Sequence, residues 1–188
     1  MKKLTFTFLL LIAVAATHAQ NRLELGITAG GGYFNTITND NEFNLTNSFS
    51  ANGGITLLKP LFNRQSVETG LIYNYRQTAL KYHFLQADIS LNSLEVPILY
   101  GYKLSDKIWV KGGFSGAWLL EKNIEREKFE MNGQLGLGYE LSWAKLFLNY
   151  QQGINKTDFM YKDDNRGYFI RHRRSLIKLD LNIPVFKF

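Results

Sequence analysis

The 188-residue chain has no cysteine. That excludes disulfides, a thiolate metal site, a cysteine nucleophile and a lipid-modified cysteine anchor. Histidine is scarce, at three in all, so imidazole chemistry has little to draw on. Past the N-terminus no run reaches the ~18 consecutive apolar residues of a membrane-crossing helix. Glycine and aromatics are plentiful instead: 16 Gly, 14 Phe, 10 Tyr and 3 Trp. A hydrophobic share of 45% is ordinary for a soluble protein. A membrane β-barrel would look the same, because only alternate residues of its strands meet lipid.

The N-terminus has the form of an export signal. Met1, Lys2 and Lys3 form a basic start, Leu4 to Ala16 an apolar core, and Thr17-His18-Ala19 a cleavage site before Gln20. A signal peptide is therefore expected over 1–19 and one mature domain over 20–188. Without Lys2 and Lys3 the formal charge falls from +6 to +4. Nucleic-acid binding does not suit an exported chain; an anionic cell surface does.

The central stretch Ser93 to Leu120 reads as two long strands about a short turn, Leu104 to Lys107. Leu94, Val96, Ile98, Tyr100 and Tyr102 share one face, opposite Glu95, Leu99 and Gly101. Ile108, Val110, Phe114, Trp118 and Leu120 repeat the pattern against Lys111, Gly113, Ser115 and Ala117. Period-two alternation marks strands, and about ten residues is the length that a tilted strand needs to cross a bilayer.

Six more strands follow the same rule. Their apolar rows start at Leu23, Phe49, Val67, Phe129, Leu146 and Ile177. Loops are expected at Asn35 to Asn47, Gln77 to Asp88, Glu121 to Lys128 and Gly153 to Arg174, and short turns at Lys59 to Arg64 and Ser142 to Lys145. Connections thus alternate long and short along eight strands. This is the order of an up-and-down antiparallel barrel with short periplasmic turns and both termini in the periplasm. Two features jar: Pro97 lies inside a strand, and Ile89 and Leu91 are out of phase with Leu94 and Val96, so a bulge or a strand start is expected near Asn92.

Glycines on the polar faces (Gly70, Gly101, Gly113, Gly136, Gly138) and tyrosines near the ends of apolar faces (Tyr33, Tyr75, Tyr102, Tyr150) favour oily faces toward lipid. The rival is a soluble periplasmic lipid-binding barrel with its apolar face inside. In the membrane version Glu68, Arg76, Glu95, Lys111, Glu130, Glu140, Lys178 and Asp180 share a narrow lumen. Buried charges must be paired, so a structural network of ion pairs is expected rather than a pore. The terminal Phe188 suits the aromatic end that barrel-insertion machinery recognises.

The segment LEVPILYGYKL followed by IWVKGGFSGAWLL resembles the PorT-like small outer-membrane β-barrel family. The resemblance implies an eight-stranded outer-membrane barrel of a Gram-negative bacterium, in some members an accessory of protein secretion. It implies no catalytic residue and no cofactor. A lipid A-modifying enzyme would need a histidine with a serine and a carboxylate. The candidates are His83 with Asp88 and Ser90, and His172 with Ser175. Asp158, Asp163 and Asp164 offer only a weak hard-cation site, and no metal is expected. The basic run RGYFIRHRR places Arg166, Arg171, Arg173 and Arg174 near the outer leaflet, where guanidinium groups suit lipopolysaccharide phosphate or an envelope protein partner.

Overall fold

The computed structural model describes the backbone of residues 23–38, 43–62, 64–82, 85–120, 128–155, 157–163 and 166–188. Within these, side chains are described except at 36–38, 43–48, 62, 78–82, 85–89, 157–163 and 166–173. The strands are β1 (Glu24–Thr38), β2 (Phe43–Phe62), β3 (Gln65–Tyr82), β4 (Leu85–Lys103), β5 (Ile108–Leu119), β6 (Phe129–Glu140), β7 (Lys145–Gly153), β8 (Thr157–Asp163) and β9 (Arg166–Lys187). All pair antiparallel in the order β1-β2-β3-β4-β5-β6-β7-β9, and β9 returns to β1. The barrel is therefore closed, with eight strand positions. Strand β8 stands above β7 against the upper half of β9, so the seventh position is one interrupted strand. At the interruption Asn155 substitutes for strand backbone: its side chain bonds the amide of Met131 and the carbonyl of Phe129.

The register fixes the shape. Glu24 pairs with Leu58, and successive partners run through Glu68, Leu99, Gly113, Gln134, Gln151 and Leu176 to Phe34, ten residues beyond the start. A stagger of that size over eight strands tilts them by roughly 40° and leaves an interior that side chains fill.

Alternation puts the oily rows outside. Ile98 and Leu135 are each 65% exposed and Phe114 62%, whereas Glu95 has no exposure at all. An apolar surface this continuous demands hydrocarbon around it, which excludes the soluble barrel with a greasy interior. Along single strands the belt covers nine to eleven residues, as from Leu94 to Tyr102 or Phe129 to Tyr139, the span that a tilted strand needs. Its far edge carries Tyr33, Phe49, Trp118, Phe129 and Tyr150, all exposed. Beyond them the outward residues turn polar at Asn35, Gln77, Asn92 and Gln152. Amphipathic rings at such a boundary are what a lipid–water interface favours.

Several sequence expectations change in detail. The expected loops at Asn35 to Asn47 and Gln77 to Asp88 are largely strand: β1 reaches Thr38, β2 starts at Phe43, and β3 turns into β4 between Tyr82 and Leu85. Most of the expected loop Gly153 to Arg174 is the β8–β9 hairpin. Backbone pairing continues above the belt where side chains no longer have to alternate, so hydropathy gives no sign of it. There is neither a bulge nor a strand start near Asn92, since β4 begins at Leu85. The β3–β4 register holds constant, and Leu91 faces inward with 5% exposure. Pro97 is accommodated by a gap in pairing with β3 between Thr69↔Ile98 and Ile72↔Glu95, while Pro97 still pairs with Ser115 of β5. A missing donor removes ladder bonds on one side only. The terminal aromatics fall out of phase because the β1–β9 register shifts between Leu25 and Gly26, which leaves Val185 as an extra residue. Phe186 stacks on Phe188 at 6.1 Å outside the barrel, and Leu23 and Phe188 exchange both backbone hydrogen bonds to close the seam.

Candidate functional site

The inward rows meet in four layers. At the rim where β1 begins and β9 ends, Lys145 pairs with Glu24 at 2.9 Å and Lys103 with Glu140 at 2.7 Å. The Trp109 indole lies between the two lysines, 5.5 Å from Lys103 Nζ and 5.4 Å from Lys145 Nζ. Its Nε1–H donates to Glu140 at 2.8 Å. An aromatic face between two ammonium groups adds attraction to the ion pairs and blocks that mouth.

In the next layer Lys111 bridges Glu68 at 3.2 Å and sits 3.9 Å from the Phe147 ring centre. Gly138 makes room for that ring, since a Cβ there would lie 2.3 Å from it. Asp180 accepts from Asn52 at 2.9 Å and Asn149 at 2.6 Å, with Lys178 at 3.5 Å.

The middle layer is built on Glu95. Its carboxylate accepts from Asn74 at 2.8 Å, from Gln151 at 3.1 Å and from Gln134. Gln134 also donates to Ser115 at 2.8 Å. Three amide donors give the buried carboxylate the hydrogen bonds that water would otherwise supply.

Above it Glu130 joins Arg76, at 3.1 Å, to Arg174. Breaking a buried pair costs far more than exchanging it for apolar packing, because one charge is left uncompensated. Glu130→Gln is accordingly expected to destabilise the barrel by about 3–5 kcal/mol. Urea titration in micelles, read by gel mobility of the folded form, checks this; an unchanged midpoint would mean that the two guanidiniums find other acceptors.

The eight residues expected to share the lumen all project inward, but not all as ion pairs. Arg76–Glu130, Lys111–Glu68 and Lys178–Asp180 meet one another, and Glu140 meets Lys103 and Trp109. Glu95 has amide partners and no ion pair among the described residues. Sequence reading missed Glu24, Lys103 and Lys145, which sit where strands end and alternation weakens.

Arg174 corrects a second expectation. It is 5% exposed and bound to Glu130, so it faces the lumen and meets no lipid head group. Its parity with Lys178 and Asp180 on β9 was the available signal. Arg166, Arg171 and Arg173 belong to β9, with Arg173 paired to Ile37 and Arg171 to Asp158, and their side chains lie outside the described residues. His83, Asp164 and the side chains of Asp88, Asp158, Asp163 and His172 are outside them too. Ser90 and Ser175 are described, Ser90 exposed and Ser175 half-buried. Among the described residues no group of three acidic or imidazole ligands could hold a metal.

Among curated proteins none matches the sequence. Solved structures share the fold at low identity. Neisserial surface protein A superposes with a TM-score of 0.54 at 10% identity, covering 86% of this chain and 97% of that one. The outer membrane enzyme PagL gives 0.50 at 9% identity, over 85% and 99%. Identities so low speak for architecture alone. The sequence profile of the outer membrane protein beta-barrel domain matches residues 18–158, more than half of the chain. With a closed antiparallel barrel, an oily exterior and an ionic interior, the chain belongs to the outer membrane protein beta-barrel domain family, integral to the outer membrane.

Proposed function

We propose that this barrel conducts nothing and works through the surface it presents at the rim opposite its termini, in a structural, adhesion or assembly and secretion-accessory role. The observation that carries the reading is the filled lumen. From Trp109 to Arg174 each layer is closed by ion pairs or amide–carboxylate bonds, and eight strands leave no channel once such side chains are in place. The strand extensions of β2, β3, β4 and the β8–β9 hairpin rise past the belt and supply the contact surface. The resemblance of LEVPILYGYKL to PorT-like barrels favours the secretion-accessory role within this set. Export by a signal peptide over 1–19, termini in the periplasm and assembly by the barrel-insertion machinery complete the reading.

Two measurements test it. Purified protein in planar lipid bilayers is expected to show no steps above the baseline; discrete channel openings would contradict a closed lumen. Co-purification from detergent-solubilised membranes is expected to recover an envelope protein partner that is lost when the hairpin 157–172 is shortened.

The basic strand supports contact with lipopolysaccharide through Arg166, Arg171 and Arg173. Changing Arg171 and Arg173 to Ala is expected to reduce the lipopolysaccharide retained during purification several-fold. Arg174→Ala is expected to lower stability and leave retention unchanged. Equal retention in all variants would remove head-group contact from the reading. The alternative, lipid A modification, would require activity on labelled lipid A that disappears with His83→Ala or His172→Ala.

A further inference from the structure

Between the Glu130 layer and the Glu95 layer lies a cavity of about 10 Å³, lined by Phe34, Arg76, Asn132, Gln151, Arg174 and Leu176. Arg76, Asn132 and Gln151 are each at least nine-tenths buried. Each contributes a buried polar atom with no partner among the described residues: Arg76 Nε, Asn132 Nδ2 and Gln151 Oε1. Buried polar groups in native proteins are satisfied with few exceptions, and a polar cavity of this order is the place where an ordered water supplies the bond.

We infer that this cavity is a binding site for a single water molecule, which accepts from Arg76 Nε–H and Asn132 Nδ2–H and donates to Gln151 Oε1. The inference rests on the closed-lumen reading and deepens it. Two neighbouring guanidiniums make a small anion the obvious competitor, and the orientation of Gln151 decides against it. Gln151 Nε2 is committed to the Glu95 carboxylate at 3.1 Å, so a flip of the amide would set two acceptors against each other. Its carbonyl oxygen must therefore serve as the free acceptor. An anion would face that oxygen with nothing to donate, and a cation would face two N–H groups. Only a small neutral molecule that both donates and accepts satisfies all three atoms. Bound there, the water joins the arginine layer to the carboxylate layer, so that the far half of the lumen becomes one hydrogen-bonded unit.

The test uses the whole barrel. Crystals soaked in sodium bromide are expected to show density within hydrogen-bonding distance of Arg76 Nε, Asn132 Nδ2 and Gln151 Oε1, without anomalous signal. An anomalous bromide peak at that position would overturn the inference in favour of an anion site. A cavity without density would overturn it as dry. In micelles, the Arg76 Nε–H resonance is expected to show cross-relaxation to a long-lived water. That cross-peak is expected to be lost in Asn132→Leu, whose side chain fills the space; its absence in the wild-type barrel would also overturn the site. Conductance in bilayers tests the closed lumen separately, so the two ideas can fail independently.

Discussion

Glu95→Leu is expected to be among the most damaging single changes in the lumen. The carboxylate is fully buried and collects donors from three strands: Asn74 on β3, Gln134 on β6 and Gln151 on β7. A leucine of similar length would leave Asn74, among the described residues, without its acceptor, and would leave the two glutamines only Ser115 there. Each buried donor stranded in this way costs about 1–3 kcal/mol, so the loss should reach about 3–5 kcal/mol. Glu95→Gln should cost less, about 1–3 kcal/mol, because one acceptor oxygen survives while the new NH2 group confronts an existing donor. Urea midpoints in micelles, followed by tryptophan fluorescence, give both numbers. Equal and small losses would mean that the amides reorganise without the carboxylate, and that this layer does not organise the lumen.

The second large effect concerns glycines whose Cβ would strike backbone. At Gly32 it would lie 2.1 Å from the Ile177 carbonyl oxygen and 2.6 Å from Lys178 Cα, across the β1–β9 seam that closes the barrel. At Gly113 it would lie 2.2 Å from the Ile98 carbonyl oxygen. A flexible side chain could move aside, but a hydrogen-bonded neighbouring strand cannot retreat without losing its ladder. Gly32→Ala and Gly113→Ala are each expected to cost about 2–4 kcal/mol, with the seam variant yielding the least folded protein. Gly133 is the control. Nothing lies within 4 Å of its would-be Cβ, so Gly133→Ala should be neutral or stabilising by about 0.5–1 kcal/mol. Folded fraction is read as the gel-mobility difference between heated and unheated samples. Equal behaviour of Gly32→Ala and Gly133→Ala would contradict the close approach at the seam.

Much of this was legible in the sequence, for a definite reason. Within the belt each residue chooses between hydrocarbon and an ionic interior, so alternation is enforced at every step from Phe129 to Tyr139 and from Ile177 to Val185. Strand positions and register parity followed from that alternation, and the glycines and tyrosines turned the oily faces outward; the inward set lacked Glu24, Lys103, Lys145 and Arg174. The signal failed where the choice lapses. Beyond the far edge of the belt lipid no longer enforces the alternation, and the extensions of β2, β3 and β4 look like loops although their backbones pair. At Arg174 the same ambiguity placed a lumen cation in a surface loop. Near the termini an extra residue at Val185 switched the phase and hid the packing of Phe186 on Phe188. Pairing partners were beyond sequence altogether. Which cation meets Glu130, and that amides rather than cations hold Glu95, depend on the stagger of ten residues that closes the sheet.

The absence of cysteine makes a spin-label scan along β6 the most direct test of which way the faces point. Single cysteines from Phe129 to Glu140 in the reconstituted barrel should show collision with lipid-dissolved oxygen that peaks at Met131, Leu135, Leu137 and Tyr139. The same labels at Glu130, Asn132 and Gln134 should be immobilised and shielded from both oxygen and a water-soluble nickel chelate. Chelate access at Glu130, Asn132 and Gln134, with Leu135 and Leu137 shielded from lipid, would contradict an outward hydrocarbon face and an inward ionic one.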